Sequence, residues 1–180
     1  MQAVRSWLPL LAVGTTLAGC ADIVVVNDPL TQPNYIMGEE RYAARNGSIR
    51  VEVGGETFGV APEAFAARVV DEMRRAYYRH EFFVRDASPA TDPRYRIVMM
   101  FNPDPAVGGL ELCASDRLPP PLPKTDLTSL LAAFCGGPVA LSEVNGWVRL
   151  SGVDDPKFVE LINRVTNHIF PRRDPRGERF

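Results

Sequence analysis

The sequence is short of the residues that build metal and redox sites. It contains three cysteines and two histidines in 180 residues, so a single structural zinc site, which takes four such ligands, would need both histidines or all three cysteines. No two cysteines have the Cys-x-x-Cys spacing that a redox dithiol usually has. We therefore expect no metal and no cofactor.

An excess of charge of either sign is also missing. The chain has 20 Lys and Arg against 22 Asp and Glu, a formal net charge of −2. Proteins that bind nucleic acid usually carry a strongly basic patch. A balance this close to neutral gives no electrostatic reason to expect nucleic acid as a partner.

Recognisable catalytic motifs are absent as well. The chain has no Gly-x-Ser-x-Gly and no His-Glu-x-x-His. The glycines of residues 54–59 do not have dinucleotide-loop spacing, and Glu56 places a negative charge where a phosphate would bind. His80 and His168 come with no recognisable nucleophile or second ligand. This is weak evidence against catalysis, because residues distant in sequence can meet in the fold.

No apolar run is long enough to cross a membrane. The run from Trp7 to Leu17 is interrupted by Pro9 and Gly14, and a spanning helix needs about 20 apolar residues. It follows Arg5 and ends on small residues, which is typical of an export signal.

The residues Leu17-Ala18-Gly19-Cys20 resemble the lipobox of bacterial lipoprotein signal peptides. The resemblance implies cleavage after Gly19, acylation of Cys20 and attachment to the membrane through its lipid. Ala21, in place of the Asp that retains such proteins in the inner membrane, implies the periplasmic face of the outer membrane. A plain secretory signal that leaves Cys20 as a thiol is the alternative. The order of strand, helix and buried strand in the folded domain resembles that of small domains in periplasmic assembly factors; this resemblance implies no site residue and assigns no family.

If Cys20 carries lipid, Cys113 and Cys135 remain as a pair in an oxidising compartment. We expect a disulfide between them. It would close a loop of about 22 residues, for which loop-closure entropy gives roughly 3 to 4 kcal/mol. A redox pair or a metal site is the less favoured interpretation.

The organisation expected along the chain has four parts. Residues 1–19 are the signal peptide, and residues 20–48 are the lipidated cysteine and a tether broken by Pro29, Pro33 and Gly38. A segment that orders on contact with a partner is the alternative for this tether. Residues 49–171 form the folded domain. Residues 172–180 form a flexible tail that contains four arginines and two acidic residues. That tail is either solvated or in contact with anionic groups.

Two long amphipathic helices are predicted. One begins at Pro62, with an exposed Asp71–Arg75 pair and with Glu72 on its polar side. The other has Asp155 as N-cap and Pro156 in its first turn. The apolar stripes of the two helices are Phe65, Ala66, Val69, Val70, Met73, Ala76 and Tyr77 in the first, and Phe158, Leu161, Ile162, Val165 and Ile169 in the second.

Strands are predicted at residues 49–53, 82–84 and 95–101, and the last of these is expected to be the central strand because it is apolar on both faces. Residues 89–93 read as a loop, residues 110–113 as a short extended piece, and residues 127–134 as a short helix capped by Thr125 or Asp126. Residues 139–150 are predicted to form a hairpin that turns at Asn145-Gly146, or one long strand with a bulge at Gly146.

These elements predict a single small α+β or α/β domain. It would have a mixed four- or five-stranded sheet, two long helices on one face and one short helix. The expected function is that of a non-catalytic binding or assembly module in the periplasm that contacts an envelope protein or a cell-wall component. A hydrolase or small-ligand-binding protein, with a pocket near residues 102–109 at the carboxyl edge of the sheet, is the alternative.

Overall fold

A computed structural model describes residues 23–78, 82–89, 91–123 and 125–171. The predicted lipidation site Cys20, His80 and the carboxyl-terminal tail lie outside these ranges. The helices are α1 Glu39–Ala43, α2 Pro62–Ala76, α3 Gly109–Ala114 and α4 Pro156–His168. The strands are β1 Val25–Val26, β2 Leu30–Thr31, β3 Ser48–Gly55, β4 Phe83–Val84, β5 Thr91–Phe101, β6 Thr128–Gly136 and β7 Val139–Val148.

All seven described strands join one mixed sheet in the order β1-β7-β6-β5-β3-β4, and β2 also pairs with β7. Strand β3 runs parallel to β4 and β5, and the other pairs are antiparallel. The α+β architecture is confirmed, but the prediction of four or five strands is wrong. The sheet is larger because the expected tether supplies β1 and β2, and the expected short helix is a strand.

Strand β5 occupies the centre of the sheet, as predicted. Val98 pairs with Glu52 on the parallel side and with Ala133 on the antiparallel side. The strand begins at Thr91 and therefore includes Pro93, where the sequence predicts a loop. A register shift between β3 and β5 falls at this point, and irregular pairing of this kind accommodates a residue that has no N–H group.

The two long helices are confirmed, and both pack on the same face of the sheet. The α2 residues Phe65 and Met73 and the α4 residues Phe158 and Val165 are fully buried in one core that includes Phe101. Burial of each such side chain contributes about 1.5–3 kcal/mol. Helix α4 begins as predicted, because the Asp155 carboxylate accepts a hydrogen bond from the backbone N–H of Lys157 (3.0 Å).

The polar side of α2 differs from its predicted pattern. Asp71 pairs with Arg74 (3.1 Å) rather than with Arg75. Glu72, expected at the surface, is buried and is held by Arg75 (2.7 Å) and Arg68 (3.2 Å). Two arginines stabilise the buried charge, so a carboxylate is accepted at a position where the helical pattern favours exposure.

The opposite face of the sheet is covered by α3. Residues 110–113, predicted as extended, are helical, and the Glu111 side chain accepts a hydrogen bond from the backbone N–H of Gly108 (3.0 Å) at the helix start. Cys113 on α3 is joined to Cys135 on β6, with their Cα atoms 5.5 Å apart. This is the pair expected from the sequence, although Cys135 lies on a strand and not at the end of a helix.

Strand β6 replaces the predicted short helix. Leu130, Ala132 and Phe134 pack into the core under the long helices, whereas Leu131 and Ala133 pack against α3. The strand is therefore buried on both faces and lacks the alternation of a half-exposed strand. Leu127, just before the strand, and Leu130, Leu131 and Phe134 within it fall at spacings that also suit one face of a helix.

Strand β7 is continuous, so the predicted turn at Asn145-Gly146 is wrong and the alternative of one long strand is correct. The bulge lies elsewhere, at the register shift beside Cys135. Gly146 serves packing, because a Cβ atom there would lie 2.6 Å from Leu161 Cδ1 of α4. The chain turns between β6 and β7 at Gly137, whose φ is +61°.

The expected tether is part of the fold from Ile23 onward. Val24 and Tyr35 are buried in the main core. Val25 pairs with Trp147, Leu30 pairs with Glu143, and Gln32 donates to the backbone oxygen of Leu141. This segment therefore runs antiparallel along β7, and α1 lies at the opposite end of the sheet from Ile23. Along β7, Leu141 lies six residues from Trp147, a distance of about 20 Å.

Gly55 ends β3 against the backbone of the central strand, and its φ is +95°. A Cβ atom at Gly55 would overlap the carbonyl of Phe101 and lie 2.7 Å from its nitrogen. We expect Gly55→Ala to lower the free energy of unfolding by about 3 kcal/mol or more, because backbone strain adds to overpacking. Gly59, with φ +79° and open space around it, is the matched control: Gly59→Ala should cost about 1 kcal/mol. Equal losses in urea unfolding would contradict this account.

The Cys113–Cys135 disulfide joins residues 22 positions apart. Replacing both cysteines by alanine should lower the free energy of unfolding by about 3 kcal/mol, because the unfolded chain regains loop freedom. Non-reducing thiol titration of the wild-type chain should find neither sulfur free. Dithiothreitol should lower the wild-type urea midpoint and leave that of the double variant unchanged. A wild-type midpoint that does not respond to dithiothreitol would show that this bond adds no stability.

Candidate docking surface around helix α1

Helix α1 lies where β3 and β5 begin, at the end of the sheet away from Ile23. The chain reaches it through a turn in which the Tyr35 N–H donates to the Gln32 carbonyl (2.9 Å). Gly38, with φ +88° and open space around it, provides the left-handed conformation that starts the helix. Tyr35, Glu40 and Ala43 then face inward and fix the helix on the domain.

The outward side of this segment is apolar. Ile36 is 68% exposed, and Met37 and Tyr42 are each at least half exposed. Exposed single apolar residues are ordinary, but three within seven positions, beside two depressions, are typical of a protein contact site. We call Ile36, Met37, Tyr42 and the two depressions that flank them the α1 surface.

The first depression has a volume of about 310 Å³ and lies between α1 and the β6–β7 turn. Its polar walls include Glu39, Arg94 and Tyr95. The Tyr95 hydroxyl donates to Glu39 Oε1 (2.6 Å). Burial, this hydrogen bond and the Glu39 charge raise the pKa of Tyr95 to about 12, so its hydroxyl stays protonated and acts as a donor at neutral pH.

Asp92 organises the arginines beside this depression. Its side chain is 4% exposed, and it accepts contacts from Arg45 (2.7 Å) and Arg94 (2.9 Å). Hydrogen bonds from Arg94, and then from Arg45, hold the pKa of Asp92 well below its usual value in spite of burial. The Arg45 guanidinium also lies 4.2 Å from the centre of the Tyr42 ring, which fixes the exposed ring in place.

The second depression is a groove of about 610 Å³ on the other side of α1. Its walls come from α1, from the end of α2 and from the chain just after α4. The groove-lining side chains with aromatic, apolar or charged groups are Met37, Glu40, Arg41, Tyr77, Tyr78 and Phe170.

Across residues 23–78, 82–89, 91–123 and 125–171, no three Cys, His, Asp or Glu side chains are grouped as metal ligands. His168, in the last turn of α4, is half-buried. In the same ranges, no helix is long and apolar enough to cross a bilayer.

The pocket expected near residues 102–109 does not coincide with either depression of the α1 surface. It also does not coincide with a third depression, which lies between α2 and β4. The polar residues of that stretch instead support the fold. Asn102 Oδ1 accepts a hydrogen bond from the Ser129 N–H (2.9 Å), and Asp104 accepts one from the Ala106 N–H (2.8 Å). Glu143 from β7 accepts one from the Gly109 N–H (2.7 Å).

The comparisons with known proteins give a likeness of fold. No family model and no curated protein matches the chain. Among solved structures, it is similar to the PelC dodecamer from Paraburkholderia phytofirmans and to a single-substitution variant of that dodecamer. In both cases the identity is 12%, the alignment covers 84% of this chain and 100% of the PelC chain, and the TM-score is 0.45. At this level the likeness concerns the arrangement of helices and strands and carries over no residue, partner or activity.

The Asp92 contacts predict a dependence of stability on pH. Because the folded pKa is lowered, the carboxylate adds stability above its unfolded pKa of about 3.9 and loses it as the pH falls further. Asp92→Asn should therefore reduce the free energy of unfolding by about 1–3 kcal/mol at pH 7. The difference from wild type should shrink below pH 3.

Urea unfolding at pH 7 and at about pH 2 tests this expectation. Asp71→Asn is the matched control, because the Asp71–Arg74 pair is solvent-exposed and should contribute less than about 1 kcal/mol. A difference between wild type and Asp92→Asn that is the same at pH 7 and at about pH 2 would contradict the assignment.

Proposed function

We propose that this chain is a lipid-anchored envelope protein whose folded domain is a non-catalytic binding or assembly module. Acyl chains on Cys20 hold it at the periplasmic face of the outer membrane, and the α1 surface contacts a protein partner. The anchor rests on the lipobox Leu17-Ala18-Gly19-Cys20 and the outer-membrane location on Ala21. The proposed contact with a partner is argued from the exposed side chains and the depressions of the α1 surface.

The position of the α1 surface supports this proposal most. Ile23 is three residues from the proposed lipid site, and the paired segment that follows runs along β7 towards Leu141. The exposed side chains Ile36, Met37 and Tyr42 therefore lie about 20 Å further along the sheet than the anchored end. A domain attached at Ile23 presents them away from the lipid.

The composition of the surface favours a protein partner over a small substrate. Its exposed apolar and aromatic groups are bordered by the arginines Arg41, Arg45 and Arg94, which resembles the make-up of protein interfaces, where aromatic residues, Met and Arg are enriched. The polar side chains beside the first depression are engaged with one another, as in the contacts of Asp92 with Arg45 and Arg94. Such contacts hold a binding surface rigid and leave no activated nucleophile.

Site-specific photo-crosslinking in intact cells tests the proposal. A photoreactive amino acid at Met37 should give a discrete crosslinked product, because Met37 lies at the centre of the α1 surface. Leu110 on α3 is the matched control: it is 55% exposed against 56% for Met37, and it lies on the opposite face of the sheet. Ile36→Asp should abolish the Met37 product by placing a charge in the apolar contact.

Cys20→Ala tests the anchor in the same cells. The substituted chain should move from the membrane fraction to the soluble fraction, and mass spectrometry should find acyl chains on wild-type Cys20. Unchanged fractionation would remove the anchor from the proposal.

Equal crosslinked products from Met37 and Leu110, or products insensitive to Ile36→Asp, would remove the proposed contact. A product of twice the chain's mass would identify the partner as a second copy.

A further inference from the structure

The groove on the α2 side of α1 contains a buried carboxylate that lacks a full set of partners. The Glu40 side chain is 10% exposed. Its Oε2 atom is buried without a hydrogen-bond partner. The groove and this carboxylate occupy the same place on the domain, since Glu40 lines the groove wall.

The charge on Glu40 is only weakly compensated. Arg41 Nε lies 3.9 Å from Glu40 Oε1, and the Arg41 side chain is 69% exposed. An ion pair this long, with one member in solvent, is weak. A buried carboxylate without a donor is unfavourable, so a cation that entered the groove would gain a strong charge-assisted hydrogen bond.

The other walls of the groove also suit a cation. The centres of the Tyr77 and Tyr78 rings lie 4.6 Å apart with the rings tilted by 41°, and the Phe170 ring lies 5.5 Å from that of Tyr77. Aromatic faces attract ammonium and guanidinium groups. A groove that combines such rings with a carboxylate accepts an organic cation better than an anion or a purely apolar group.

We propose that this groove is a binding site for a guanidinium or ammonium group, held by the Glu40 carboxylate and the neighbouring aromatic rings. The proposal names the ligand class of the groove, which is one half of the α1 surface. It rests on the proposed function only in assuming that a partner carries the cationic group. Binding of the cation in the groove does not require the lipid anchor. The torsion that rotates the carboxylate is soft, so either oxygen can turn towards the ligand.

Two sources could present such a group. One is a separate partner with an exposed Arg or Lys side chain. The other is this chain itself, because Pro171 lies at the groove and is followed in the sequence by a segment with arginines at positions 172, 173, 176 and 179. The same cation chemistry serves both sources, and the experiment separates them.

The test titrates the full mature chain, in detergent micelles, with ethylguanidinium chloride and follows the backbone NMR signals of Gly38 and Arg41. The probe should shift these signals in a saturable way. Glu40→Gln should weaken binding about tenfold, because the charge-assisted hydrogen bond is lost. Arg41→Gln should strengthen binding severalfold, because it removes the competing cation.

Glu39→Gln is the matched control. It removes the same charge one residue away, but Glu39 lines the other depression and bonds Tyr95. The affinity of the Glu39→Gln chain for the probe should stay within about twofold of the wild-type affinity. Water and salt screen the interaction between the probe and a charge that lies outside the groove. Should Glu40→Gln fail to fold, Tyr78→Leu keeps an apolar wall, removes the aromatic face and should weaken binding severalfold.

A chain with all four tail arginines changed to Gln separates the two sources. Tighter probe binding than in wild type would show that the tail occupies the groove, and unchanged binding would assign the site to a separate partner. The proposal is overturned if the probe gives no saturable shifts in either the wild-type or the tail-neutral chain. Equal affinities for Glu40→Gln and Glu39→Gln would also overturn it. A chain with wild-type Ile36 that gives no Met37 crosslink but still binds the probe would count against the proposed function alone.

Discussion

The domain depends on a central strand that is apolar on both faces. In β5, Ile97, Met99 and Phe101 face the core under the long helices, whereas Val98 and Met100 face the smaller core under α3. Because neither face can be left in water, the sheet requires a cover on each side. The two amphipathic helices provide one cover. Helix α3, fixed to β6 by the disulfide, provides part of the other.

Elements with a clear period could be predicted from sequence. Helices α2 and α4 have one apolar stripe each, and β3 alternates, so local pattern and tertiary packing agree. Strand β6 has no period because both of its faces are buried, and the spacing of Leu127, Leu130 and Leu131 suits a helix equally well. Gly146 was misplaced for a related reason, since Asn-Gly favours a turn locally whereas the requirement for close packing against Leu161 comes from the tertiary fold.

The two depressions of the candidate site could not be predicted, because their walls meet only through long-range contacts. Glu39 bonds Tyr95, which lies 56 residues away, and Val25 finds its partner Trp147 on the last strand. A segment with short elements and several prolines and glycines resembles a tether when read alone. The Cys113–Cys135 pair could be anticipated because the predicted export signal implies an oxidising compartment, and lipidation of Cys20 would leave only this pairing.

The antiparallel pairing of the amino-terminal segment with β7 has a mechanical consequence. If, as proposed, acyl chains on Cys20 hold one end of this segment and a partner holds the α1 end, the covalent backbone of residues 23–38 lies directly between the two points of load. Tension would then be carried by the peptide bonds of that segment before it reached the hydrogen bonds that join β1, β2 and β7.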